Sequence, residues 1–194
     1  MSNYTQNNAD LDLIKKWEIL YFGRRKARSP SFFVCALAKF NSGLILCRDS
    51  SGKLLGYIDF WPITECAFLD LSSYKRKEYT VTCNDILQPH VSFECKYWYI
   101  GGLAVSPDIL GSQISTNVIL RLLSNLMSLL SDNINSYPSK VIAFSSSVKG
   151  ELVCINFGMR KLIHAPESPC FHNDAFIKCI ETPLHISDFR HWRK

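Results

Sequence analysis

The feature that most constrains this chain is the run from Tyr97 to Leu130. Tyr97-Trp98-Tyr99-Ile100-Gly101-Gly102-Leu103-Ala104-Val105 is rich in aromatic and aliphatic side chains and reads as a buried strand. Ser106-Pro107-Asp108 turns the chain out of it, because proline has no N–H to donate to a sheet ladder. A loop carrying Gly111 follows, and a helix is predicted from about Gln113 to Leu130. Asn117, Arg121, Ser124, Asn125 and Ser128 interrupt the apolar stretch from Ile114 to Leu130. The spacing therefore predicts a buried amphipathic helix and no membrane span. A strand that ends just before a helix points several backbone N–H groups and the positive helix end at one spot. Such a spot suits a pyrophosphate.

The remaining chain supplies partners for this unit. Leu13, Ile14, Trp17, Leu20 and Tyr21 recur at helical spacing between Leu11 and Phe22. The basic stretch Gly23-Arg24-Arg25-Lys26-Ala27-Arg28 ends that helix. Ser29-Pro30 then opens a second one, to about Phe40, by supplying an N-cap and a proline at the first helical position. A hairpin is predicted from Leu44–Arg48 and Lys53–Trp61, joined by the turn residues Asp49-Ser50-Ser51-Gly52. Residues 63–95 are expected to be irregular, a connection long enough to hold short structure or a function. Lys140–Ser145 reads as a short apolar strand and Gly150–Phe157 as a helix closed by Gly158. Met159–His164 and Ala175–Ile180 read as the last strands, and residues 1–10 are expected to fray. This order predicts one α/β domain over all 194 residues, with a mixed central sheet and flanking helices.

Composition narrows the function classes. With 47% hydrophobic and 20% charged residues, the chain is too apolar for disorder. A net charge of +5 suits an anionic ligand or a nucleic acid. None of the eight cysteines is spaced as C-x-x-C, and the start Met1-Ser2-Asn3-Tyr4 is polar. Reduced, mostly buried thiols in a cytoplasmic protein are expected, with a disulfide framework as the alternative. No Walker loop, nucleophile elbow or zinc-hydrolase pair occurs.

Three segments in order carry a family resemblance. Val105, Pro107 and Gly111 match a strand ending V-x-P before the loop R-G-x-G-x-G/A. Leu55-Gly56-Tyr57-Ile58 with Pro62-Ile63 is similar to the hairpin strand that precedes that signature. Ala143-Phe144-Ser145 leading to Asn156-Phe157-Gly158-Met159 is similar to the strand and helix that follow it. Over roughly residues 30–165 the chain resembles the Gcn5-related N-acetyltransferases (GNAT). The loop departs from the pattern at Leu110, Gln113 and Ser115, where the family has arginine or glutamine, glycine, and glycine or alanine.

The resemblance implies a GNAT-like acyl-CoA N-acyltransferase fold in which one strand splays from its neighbour to admit the pantetheine arm of acetyl-CoA. Leu103, Ala104 and Val105 would pair with pantetheine, and Leu110, Gly111, Ser112, Gln113, Ile114 and Ser115 would hold the pyrophosphate. Cys154 stands four residues before Gly158, where many members have a tyrosine acid. Glu94, Glu65 and Tyr99 are the candidates for general base. The implied reaction is acetyl transfer to an amine, borne by a small molecule, a protein or a charged tRNA. Such folds commonly form homodimers. The altered loop leaves a second reading open, a GNAT-like binding or regulatory protein without catalysis.

Overall fold

A computed structural model describes residues 8–88, 95–131, 140–156, 158–162 and 170–173. Two helices come first, α1 (Asn8–Phe22) and α2 (Pro30–Lys39). Ser29 caps α2 by accepting the Phe32 N–H, an interaction worth about 1 kcal/mol. The hairpin follows as β1 (Leu44–Arg48) and β2 (Leu54–Pro62). Then come α3 (Glu65–Ser72), β3 (Tyr97–Val105), α4 (Gln113–Ser131), β4 (Lys140–Phe144) and α5 (Val148–Asn156). Two short strands end the described chain, β5 (Arg160–Lys161) and β6 (Cys170–Asn173).

The described strands form one sheet in the order β1-β2-β3-β4-β6-β5. All neighbours are antiparallel except β3 and β4, which run parallel. The sheet is mixed and helices flank it, as the sequence predicts. Period-two alternation sorts its side chains between two cores. Tyr57, Trp61, Tyr99 and Ile142 join Leu11, Ile14, Phe33 and Phe68 of the first three helices. Ile58, Phe60, Val141 and Ala143 join Val118, Leu122 and Leu126 of α4.

Three expectations change. The connection after β2 is not wholly irregular: Thr64 caps α3 by accepting the Ala67 N–H, and Ala67, Phe68 and Leu71 bury one helical face. The strand expected over Met159–His164 contracts to Arg160–Lys161, and β6 forms at Cys170–Asn173. Ala175–Ile180 lies outside the described residues. Finally, the thiols are not all reduced, since Cys35 of α2 is bonded to Cys83. Lys39 Nζ draws the turn Cys83–Asp85 onto α2 by donating to the Cys83 and Ile86 carbonyls at 2.7 and 3.1 Å. That docking leaves the two Cα atoms 6.0 Å apart, within bridging range. Cys47 and Cys95 are buried thiols and Cys66 is an exposed one. Among the described residues, no helix is long and apolar enough to cross a membrane.

Candidate active site

The site begins where β3 and β4 part. Their pairing runs from Tyr97 opposite Lys140 to Ile100 opposite Ala143 and stops there. β3 continues through Gly101–Val105, held on one side by β2. Gly101 is an extra residue on β3, between the pairs Gly102–Asp59 and Ile100–Phe60, and this bulge marks the divergence, since bulges bend and twist a strand. Ser106 N–H donates to Leu55 on β2, so alternation turns the backbone groups of Leu103 and Val105 toward the opening. Tyr21 Oη uses one of them, donating to the Val105 carbonyl at 2.9 Å.

The outer part of the opening is a cavity of about 420 Å³ lined by Leu103, Ala104, Val105, Leu110, Gly111 and Ser115 from the strand, loop and helix start. Gly111 has φ +81°, a left-handed conformation that glycine adopts without strain, and open space lies where a Cβ would stand. Ser112 caps α4: its Oγ accepts the Ser115 N–H at 3.3 Å. The start of α5 closes the opposite wall with Ser146, Ser147, Lys149 and Gly150. Two helix starts and an ammonium group thus border one cavity, an arrangement that favours anions.

The cavity narrows to an inner part of about 110 Å³ that shares Leu103, Ser147, Gly150 and Val153 with the outer one. On the α1–α2 face, this inner end is charged. Arg28, in the loop after α1, donates to Asp59 Oδ1 at 2.9 Å and Glu18 Oε1 at 3.1 Å. Tyr57 Oη donates to Glu18 Oε1 and Trp61 Nε1 to Asp59 Oδ1. Arg28 also lies over the rings of Phe32, Phe33 and Tyr99. A Cβ at Gly101 would fall 2.0 Å from both Arg28 and Asp59, so glycine is what lets this pair pass behind β3. Asp59 Oδ2 accepts no hydrogen bond among the described residues. Burial pushes the Asp59 carboxyl up to about 6, against the lowering pull of Arg28.

Glu78, in the turn Glu78–Thr80, completes the charged end. Tyr99 Oη donates to its Oε1 at 3.0 Å. Burial pushes the Glu78 carboxyl up to about 7, while Arg28, the Tyr99 hydrogen bond and Lys26 pull it down. The residue shows part of its surface to the cavity, but its carboxyl lies deep. It is therefore poised to exchange a proton near neutrality. Burial raises the Tyr99 phenol well above its ordinary value, with the Glu78 charge adding to it, so Tyr99 keeps its proton and orients Glu78.

Tyr99 and Cys154 both line the inner cavity. Burial, then the charge of Glu151, pushes the Cys154 thiol up to about 12, so it keeps its proton at neutral pH. Glu65 stands apart on the surface, accepting from Tyr97 Oη. Glu94 lies outside the described residues. In the loop, Ser112, Gln113 and Ile114 are not among the lining residues. Gln113 donates to Asn117 Oδ1 along the exposed helix surface, so its bulk leaves the pocket open. Sequence reasoning missed Glu78, visible there only as the end of the charged run Lys75-Arg76-Lys77-Glu78 inside a long connection. The length of that connection was the available signal.

The sequence matches no protein-family model and no curated protein. Solved structures do match the fold. The GNAT-like decarboxylase GphF, solved in complex with isobutyryl-CoA, superposes with a TM-score of 0.58 at 13% identity, over 87% of this chain and 96% of that one. The fold is GNAT-like. The crystal structure of SsHAT gives 0.51 at 12% identity over 87% and 95% of the two chains. Ard1 from Thermoplasma volcanium gives 0.51 at 9% identity over 86% and 90%.

Proposed function

We propose that this chain is a GNAT-type acyltransferase that moves an acyl group, acetyl in the simplest case, from coenzyme A to an amine. The observation that carries the reading is the continuous opening between β3 and β4. It runs from the α4 start, suited to a pyrophosphate, to a carboxyl with a pKa of about 7. The GNAT-like fold and the acyl-CoA complex of GphF agree with it.

The chain's own residues divide the work. The α4 start and Lys149 hold the phosphates, and the open edge of β3 at Leu103 and Val105 pairs with an amide-bearing arm. Glu78, deprotonated and aligned by Tyr99, takes one proton from the amine as its nitrogen bonds to the acyl carbon. The carbon–sulfur bond breaks, and the proton passes from Glu78 to the departing thiolate, giving amide and free thiol. An acceptor that arrives as an ammonium ion releases one further proton to water.

Calorimetric titration with CoA and acetyl-CoA, followed by a thiol-release assay with mixed primary amines, tests the reading. Binding with amine-dependent thiol release is expected. Absence of binding at millimolar CoA would overturn it. Binding without transfer to any amine would favour the non-catalytic reading.

A further inference from the structure

Glu78 reaches the inner cavity from the connection between α3 and β3, and a covalent bond ties that connection to the helix layer. Cys83 follows Glu78 by a few residues, and Cys35 of α2 bonds to it across a sequence separation of 48. The core face of α2 is fixed, since Phe32, Phe33 and Ala36 are buried. The connection is braced within itself. Arg76 donates to both carboxylate oxygens of Asp85 at 2.7 and 2.6 Å and to Thr80 Oγ1 at 3.0 Å. Asp85 also accepts the Thr82 N–H at 2.7 Å. At the far end Ile86 pairs with Ile63, and the Asp85 carbonyl accepts the Thr64 N–H. The turn Glu78–Thr80 meets the rest of the molecule through side chains, with Glu78 accepting from Tyr99 and Arg25 lying over the Tyr79 ring.

We infer that the Cys35–Cys83 bond is a redox latch on Glu78: intact, it holds the carboxyl at Tyr99, and a dithiol reductant that opens it lowers acyl transfer. The inference rests on the acyltransferase reading above. The bond is placed to be opened. Cys35 is exposed and Cys83 half-buried, so a dithiol reaches the sulfur it must attack, and access governs thiol–disulfide exchange. The step balances: one dithiol sulfur attacks and breaks the S–S bond, and the other displaces the first. The chain keeps two thiols, and the reductant leaves as its own disulfide, having given up two electrons and two protons. Lys39 still donates to the Cys83 and Ile86 carbonyls, so the opened connection stays near α2 while regaining the freedom that the bond removed. The braces through Arg76, Thr82 and Asp85 carry that freedom back to the turn holding Glu78. A small displacement is enough, because a base works only within hydrogen-bond reach and a misplacement of about 1 Å costs up to about 10²-fold.

The test compares the full chain oxidised with glutathione disulfide and reduced with dithiothreitol, the two forms distinguished by intact mass. Amide product is quantified by mass spectrometry, so added thiol does not interfere. Reduction is expected to lower kcat/KM by about 10-fold or more, and reoxidation to restore it. The pH–rate inflection is expected to move as well. Burial outweighs the pull of Arg28, Tyr99 and Lys26 on Glu78, with Asp59 adding to it, so release toward water lowers the carboxyl from about 7 toward its ordinary 4.5. CoA affinity is expected to hold, because Cys35 and Cys83 line neither part of the cavity. Cys35→Ser should match the reduced protein and ignore dithiothreitol, which separates this bond from the thiols of Cys47, Cys66, Cys95 and Cys154. Equal kcat/KM with an unmoved inflection in the two forms would overturn the inference and leave the acyltransferase reading standing. So would a chain that keeps Cys35 and Cys83 reduced under glutathione disulfide. If neither form acylates any amine, the acyltransferase reading fails by itself, and carbon NMR titration of the Glu78 carboxyl in both forms decides the latch: a lower value on reduction supports it and an unchanged one overturns it. If Cys35→Ser does not fold, the dithiothreitol comparison on the unaltered protein decides alone.

Discussion

The two faces of the sheet are built on different physics where they meet at the crack. On the α1–α2 face, one arginine lies among Glu18, Asp59 and Glu78, with tyrosine and tryptophan donors filling in. On the α4–α5 face, Ile58, Leu122, Leu123 and Leu126 pack with no charge between them. The apolar face draws its stability from area removed from water, about 25 cal/mol per Å². The charged face holds groups that would rather be hydrated, and it persists because each has partners. The difference teaches where a titratable carboxyl can be held next to the opening. A carboxyl kept near pKa 7 is expensive to build, and this fold builds one beside the opening its strands create.

The comparison is broken most severely by Glu78→Gln, which keeps shape and removes the proton acceptor. It is expected to lower kcat/KM by about 10²–10⁴-fold and to abolish a pH–rate inflection near 7. Calorimetry should still find CoA binding, because Glu78 lines only the inner cavity.

Arg28→Ala against Leu126→Ala sharpens the contrast in stability. Removing Arg28 leaves buried carboxylates without their cation, an expected loss of about 3–5 kcal/mol by urea unfolding. Leu126→Ala should cost about 2–5 kcal/mol through the cavity it leaves. The two separate by pH. The Arg28 loss should shrink as the pH falls toward about 6, because without Arg28 the Asp59 carboxyl takes its proton at a higher pH, and the Leu126 loss should stay flat.

The charged face should also set the pH dependence of the unaltered protein. Glu78 has a folded value of about 7 against an ordinary 4.5. A raised carboxyl favours the folded state while protonated. Its contribution is full below about 4.5 and is lost as the pH rises through about 7. Glu78's share of the decline is roughly 3 kcal/mol at most, measured as ΔG of unfolding from pH 4.5 to 8. Glu78→Gln should remove the part of the slope above about pH 6 and leave the part below it that Asp59, raised to about 6, contributes. An unchanged slope between about pH 6 and 7 in the variant would assign that titration to other groups.

The smallest expected effect lies at the outer cavity. Ser112→Ala removes the cap that accepts the Ser115 N–H and should cost about 1 kcal/mol of stability. It should also alter CoA affinity, because it frees one N–H donor while loosening the helix start.

Local signals fixed much of this molecule before any packing was known. Ser29-Pro30 marks the start of α2, Asp49-Ser50-Ser51-Gly52 the hairpin turn, and Tyr97–Val105 the boundaries of β3. The α4 start at Gln113 is equally legible. All of these rest on backbone preferences and periodicity within a few residues, which the sequence contains directly. α3 was not read because eight residues give too few repeats for a period to stand out. The Cys35–Cys83 bond spans 48 residues, and nothing in cysteine spacing identifies that pair. Glu78 meets Tyr99 across 21 residues, and Arg28 meets Asp59 across 31. Those meetings depend on the β2–β3 register, the bulge at Gly101, and a connection folded back over the sheet. The chain by itself determined where α1, α2, the hairpin, β3 and α4 lie. Only the tertiary structure decided which carboxyl faces the crack, because burial and partners set a pKa and neither is a property of the residue alone.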